Sequence, residues 1–228
     1  MSDNRLGVLD GIRGLCLISM IAYHGMYDLV YVLGIPIRWY TALPGYVWQQ
    51  SICWTFILLS GACRHFSKRP LRHGLLVFGG GVLVTLVTMS VMPSESIRYG
   101  VLTLLGLSAL LVIPLKPLLD KTPAWLGLAI TAVLFFLTRS IPERRYSFDG
   151  LAVLGFPGPT FWSSDYFPLL PWFFLYLAGY FLWQMIGTDQ RVLAALRPKV
   201  PFLGFLGRHS LIVYLLHQPV LMLIFTLL

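Results

Sequence analysis

Residues 5–31 read RLGVLDGIRGLCLISMIAYHGMYDLVY and say more about the architecture than any other stretch. From 11 to 33 the chain is apolar and long enough to cross a bilayer, which takes about 20 helical residues. Yet Asp10, Arg13, His24 and Asp28 lie at its start or within it. A charge near the bilayer centre costs roughly 2.5–3.5 kcal/mol on insertion scales, so such side chains point to function by default. At about 100° per residue, with Asp10 at zero, Arg13 falls at about −60°, His24 at about −40° and Asp28 at about 0°. Tyr31 joins them at about −60° by the same count. Leu15, Ile18, Ala22 and Leu29 lie off this stripe. One face of the helix is therefore expected to look into a polar, protein-lined cavity.

Composition agrees with a membrane setting. Of 228 residues, 57% are hydrophobic and 11% charged, against about 25% charged in a soluble domain. The class expected is all-α: a polytopic integral membrane protein, one domain over residues 1–228. The first segment lacks a simply basic n-region and a small-residue cleavage site, so it is expected to stay as a retained helix. The net charge is +8. In a soluble chain that would suggest nucleic acid; here the positive-inside rule accounts for it, and the expected partner is the lipid bilayer. Cys16, Cys53 and Cys63 sit in or at the ends of apolar segments. They read as small packing residues, with no disulfide framework and no metal spacing.

Seven spans are expected, at 11–33, 47–63, 74–92, 98–113, 124–138, 168–186 and 209–227. Gly34, Pro36, Pro44 and Gly45 break the first connection, flanked by Trp39, Tyr40, Tyr46 and Trp48 as an interfacial aromatic belt would be. The run RHFSKRPLRH (64–73) is the densest basic segment. Gly79–Gly80–Gly81 permits close helix packing and lacks the Lys-Ser/Thr of a P-loop. PLKPLLDKTP (114–123) is expected to break the chain twice. Residues 139–167 are long for a connection and are expected to be functional, a lid or re-entrant segment. The aromatics of the sixth span suit lipid or helix packing. The N-terminus with the second, fourth and sixth loops carries twelve Lys and Arg, the other side five, together all 17. This predicts a cytoplasmic N-terminus and an outside C-terminus in an inner membrane.

The polar groups suggest a site. Asp10 and Arg13 fall at the cytoplasmic mouth of the first span and Asp28 toward the outer mouth. His24 lies between, roughly 16 Å along the axis from Arg13. His24 and Asp28 stand at i and i+4, so a carboxylate could orient the imidazole and support an imidazolium, as a general base requires. Arg64, Lys68, Arg69 and Arg72 suit either a phosphorylated cofactor or plain topology determination. Asp165 precedes the sixth span, where it would also favour that helix N-terminus without any chemistry. In the last span Ser210, Tyr214, His217 and Gln218 project within about 100° of one another. His217 precedes Pro219, whose missing N–H frees a carbonyl in the preceding turn.

Here the residues reach a family. RLGVLDGIRGLCLISMIAYHGMYDL (5–29) resembles the opening of the heparan-alpha-glucosaminide N-acetyltransferase catalytic-domain family, in its small bacterial branch. WTFILLSG (54–61), YGVLTLLGLSALL (99–111), DYFPLLPWFFLYLAGY (165–180) and GRHSLIVYLLHQP (207–219) follow in the family's order. The wider transmembrane acyltransferase superfamily has a signature of an Arg, ten residues and a His in the first helix, which Arg13 and His24 match. The resemblance implies acyl transfer from cytoplasmic acetyl-CoA to a glycan or other small-molecule acceptor, with no metal. Arg13 would position the CoA end and His24 serve as base. The sequence departs from the family in two respects. Lysosomal members are longer, with more helices and a luminal domain, and Thr103 stands where many small bacterial relatives carry His.

The expected machinery is thus His24, Asp28 and Arg13 for chemistry, and Arg13, Arg64, Lys68, Arg69 and Arg72 for the donor. Asp165, Tyr31, Tyr214, His217 and Gln218 would line an acceptor entrance on the outer side. Direct transfer and a covalent acyl-His both remain open, as does a homo-oligomer. A proton-coupled or anion transporter would use the same intramembrane Arg, His and Asp. A non-catalytic subunit pairing its polar stripe with a partner is the other rival. A CoA-sized channel from the second-loop basic cluster to His24 would separate these readings.

Overall fold

The computed structural model describes residues 6–226. Arg5 and the expected end of the last span at Leu227 lie outside the described residues. Among the described residues all regular structure is helical. Helix α1 (Gly7–Tyr27) continues as a π-helical turn, Asp28–Val32. Then come α2 (Leu43–Cys63), α3 (Pro70–Val91), α4 (Val101–Lys121) and α5 (Ala124–Thr138). They are followed by α6 (Leu169–Ile186), α7 (Gln190–Leu196), α8 (Pro201–Arg208) and α9 (Ser210–Thr226).

Four helical segments are long and apolar enough to cross a membrane: Gly7–Val32, Pro70–Val91, Val101–Lys121 and Leu169–Ile186. Helices α8 and α9, bent by 88°, make a fifth if the pair is one span. Helix α5 is a shorter apolar helix. Helix α2 is long, but Gln49, Gln50, Ser51 and Ser60 dilute its apolar character.

Several local expectations change. PLKPLLDKTP does not break the chain twice, because α4 runs through Pro114 and Pro117 to Lys121. Each proline deletes one rung of the ladder. Both prolines face outward while Val112 and Leu119 stay buried, so packing of the opposite face holds the helix together. Residues 187–208 are not a plain connection. They contain α7, whose N-cap Asp189 accepts from the Arg191 N–H, and α8, which starts on Pro201. Proline suits a first turn because the N–H it lacks has no intrahelical acceptor there.

The chain divides into two compact units, 1–56 with 187–228, and 57–186, with the division inside α2. In the first unit α1 packs on α8 at backbone distance. A Cβ on Gly14 would strike the Leu203 carbonyl, and one on Gly207 would strike that of Asp10. Glycine is what allows two apolar helices this approach where lipid offers no hydrophobic driving force. The start of α2 is tied to α1 by Trp48 Nε1–H donating to Ser19 Oγ at 2.8 Å and by the Cys16 thiol donating to the Ile52 carbonyl at 3.3 Å.

In the second unit α6 is the core. Trp172, Tyr176, Tyr180, Phe181 and Trp183 are buried, so helix packing explains these aromatics. Of the glycine triplet, Gly81 abuts Thr103 of α4, whereas a Cβ on Gly79 would meet open space. Residues 139–167 hold one short 3₁₀ turn, Ala152–Leu154. They are laced to the α3–α4 connection through Ser164 N–H to the Ser96 carbonyl (3.2 Å) and Phe167 N–H to the Tyr99 carbonyl (2.8 Å).

Candidate functional site

The polar stripe of α1 turns inward as its spacing requires. Asp10 and Asp28 are 8% and 3% exposed, Arg13 and His24 are half-buried, and Leu15, Ile18 and Ala22 face outward. His24 Nδ1 lies 2.9 Å from the Met20 carbonyl one turn earlier. A carbonyl only accepts, so Nδ1 carries the hydrogen and Nε2 of the neutral ring holds the lone pair. The His217 ring of α9 stands edge-on to it, centroids 4.7 Å apart at 70°. His217 Nδ1–H likewise goes to a carbonyl of its own helix, that of Tyr214. Its buried Nε2 has no hydrogen-bond partner among the described residues. Two imidazoles thus meet, each tautomer set by backbone and each leaving Nε2 free of it.

Asp28 takes a different partner from the one its spacing suggests. Gln218 Nε2–H₂ of α9 donates to both its carboxylate oxygens, at 3.0 and 3.2 Å. The winding is still α from His24 to Asp28, whose N–H reaches the His24 carbonyl, so the two remain neighbours. Gln218 takes the carboxylate, π-helical winding starts at Asp28, and His24 finds its acceptor within its own previous turn. π turns inside α-helices are frequent at functional sites. The same turn carries Tyr31 off the stripe. It is 59% exposed, its ring 4.7 Å from Tyr27 and 6.5 Å from Tyr40. Tyr214 stays beside the site, its ring 5.3 Å from His217.

Around His24 lies an aromatic cluster that joins Tyr23 to Tyr40 and Trp48, two residues of the expected interfacial belt. The Tyr23 ring stands 6.0 Å from His24, 5.0 Å from Tyr40 and 5.3 Å from Trp48. Tyr40, 4% exposed, donates to the Tyr23 carbonyl at 3.2 Å, and burial holds its hydroxyl pKa above the ordinary range. The density of aromatics at 39–48 was the available signal.

In the second unit the four basic residues separate by environment. Lys68, Arg69 and Arg72 are exposed, whereas Arg64 is 9% exposed, with its Nε lacking an acceptor among the described residues. Arg64 lines a cavity of about 120 Å³ with His65, Ser67, Val112, Lys116 and Tyr180. The His65 ring lies over Tyr180, centroids 4.1 Å apart, and its Nε2 is 3.1 Å from the Tyr180 carbonyl. Burial pushes the His65 pKa below its ordinary value. Tyr180 Oη–H donates to Asp120 Oδ1 at 2.6 Å, and Lys116 pairs with the other oxygen. His65, Lys116, Asp120 and Tyr180 were missed because they come from three separate segments.

Asp165 reaches the start of a helix other than the one it precedes in sequence. Its Oδ2 faces the first N–H of α4, at Val101, 3.4 Å away, and lies against Gly100, the N-cap. The laced 139–167 segment brings the carboxylate to α4, a placement that local order does not suggest. Among the described residues no group of three His, Cys, Asp or Glu could hold a metal.

Comparison with known proteins finds one family. The description "Heparan-alpha-glucosaminide N-acetyltransferase, catalytic" matches residues 5–219. No curated protein and no solved structure matches the chain. The matched region contains both imidazoles, Asp28 and Gln218, and nearly the whole sequence. On that coverage, the chain belongs to the heparan-alpha-glucosaminide N-acetyltransferase catalytic-domain family, a membrane acyltransferase-like family.

Proposed function

We propose that the protein is a single-domain, seven-span acyltransferase of an inner membrane that moves an acetyl group from acetyl-CoA to a glycan or other hydroxyl or amine acceptor outside. The observation that carries this is His24, with Nδ1 spent on the Met20 carbonyl and Nε2 left as a base beside His217. Membership in a membrane acyltransferase-like family supports acyl transfer as the reaction type. In the step, His24 Nε2 takes the proton of the acceptor hydroxyl or amine as that atom bonds to the thioester carbon. The C–S bond then breaks, and the imidazolium returns the proton to the departing CoA thiolate. Asp28, held by Gln218, supplies the negative charge that favours the imidazolium. Arg13 and Tyr214 are the candidate donors toward the developing oxyanion. Arg64, Lys68, Arg69 and Arg72 hold the CoA phosphates, and Asp165, Tyr31 and His217 belong to the acceptor side.

The test is transfer of labelled acetyl from acetyl-CoA to a periplasmic or membrane glycan fraction in reconstituted vesicles. Transfer by the parent and its loss in His24→Ala support the proposal. Parent-like transfer by the variant refutes it. A parent inactive on every glycan pool but driving solute flux with the proton gradient would mark a transporter built on the same stripe.

A further inference from the structure

The cavity beside Arg64 is not a feature that the reacting residues need. It lies wholly in the second unit, and it combines two cations from different helices and connections, Arg64 and Lys116, with the Ser67 hydroxyl and the His65 ring. Arg64 is the unusual member. A guanidinium presents five N–H donors, and a buried one is normally paired on all sides. Here its Nε–H is buried without an acceptor among the described residues. The only acid described at this end of α4, Asp120, is already engaged by Lys116 and by the Tyr180 hydroxyl. Among the described residues, the site therefore has the Arg64 Nε–H left over and no carboxylate ion-paired with Arg64.

We infer that this cavity binds a terminal phosphomonoester, with Arg64 as the central cation and Lys116 and Ser67 completing the donors. A tetrahedral dianion uses donors arriving from several directions, whereas a single planar fork would suffice for a carboxylate. A cavity of about 120 Å³ takes such a terminal group rather than a whole nucleotide. Resting on the acetyl-CoA reading above, the group is the ribose phosphate of CoA, which sets the donor apart from dephospho-CoA. A phosphomonoester lipid headgroup offers the same chemistry from the bilayer.

Calorimetry on the purified full chain in detergent, with CoA and with dephospho-CoA, tests this. The parent should bind CoA roughly 10- to 100-fold more tightly, as a charge-assisted contact predicts. Arg64→Gln should remove that preference, weakening CoA more than dephospho-CoA. Lys116→Gln, at an exposed position, should reduce the preference without any question of folding, and Arg64→Lys should restore part of it. Equal parent affinities for the two compounds, with no response of melting temperature to inorganic phosphate, overturn the inference. Should neither compound bind, the donor reading fails, yet phosphate stabilisation lost in Arg64→Gln still supports the site. In nanodiscs, stabilisation by phosphatidic acid that requires Arg64, without discrimination between the CoA compounds, assigns the phosphate to lipid.

Discussion

At the scale of single residues, the consequential observation is that backbone, not a carboxylate, sets the His24 tautomer. A base oriented by the Met20 carbonyl keeps its orientation when Asp28 is changed. His24→Ala should therefore insert, purify and bind CoA as the parent does, and lose transfer by roughly 10²–10⁴-fold, the usual contribution of a general base. Asp28→Asn should lose less, because the ring stays oriented and only the imidazolium loses its counter-charge. Initial rates in reconstituted vesicles measure both. A larger loss in Asp28→Asn than in His24→Ala would show that the carboxylate, not the ring, does the chemistry. Gln218→Leu has a different signature. It strips Asp28 of its observed donor, leaving a buried carboxylate unpaired, and removal of a partner from a buried polar group costs about 1–3 kcal/mol or more for a charge. Reduced thermal stability accompanying reduced transfer is expected, and an unchanged melting temperature would argue against the Asp28–Gln218 contact.

At the scale of elements, glycine governs which helices can touch. Gly14→Ala and Gly207→Ala each place a methyl group on an opposing carbonyl, so α1 and α8 must separate. Overpacking of this kind typically costs about 1–3 kcal/mol. Gly79→Ala is the control from the same residue type. Its methyl meets open space, and alanine favours a helix by about 1 kcal/mol, so the variant should be neutral or slightly stabilised. Melting by fluorescence-detected size exclusion ranks the three variants, and equal destabilisation would contradict the packing described. Asp165→Ala belongs at this scale too. It removes the carboxylate from the start of α4, an effect of roughly 0.5–2 kcal/mol for a capping side chain.

At the scale of the whole molecule, the charge distribution predicts sidedness. With native cysteines replaced, a cysteine at Asp165 should react with an impermeant thiol reagent from outside, and one at Arg69 only from the cytoplasm. The reverse pattern would invert the topology and with it the assignment of donor and acceptor faces. Arg69 is exposed and Asp165 half-buried, so labelling should be slower at the latter but one-sided at both.

The membrane class, the inward polar stripe of α1 and the family were legible in the sequence. The reason is that apolar length, helical period and motif order are properties of contiguous residues, and α5 at Ala124–Thr138 was likewise fully determined by its local run. Even so, local rules failed where packing overrode them, as at Pro114 and Pro117, whose outward placement lets α4 continue. The partners of the polar groups were decided by tertiary structure alone. Asp28 meets Gln218 across 190 residues of chain. Val101 receives Asp165 across 64 residues, and Arg64 shares a cavity with Lys116 and Tyr180. A buried polar group takes whichever complementary atom packing brings within about 3 Å. That choice depends on how helices far apart in sequence come together, and no local pattern encodes it.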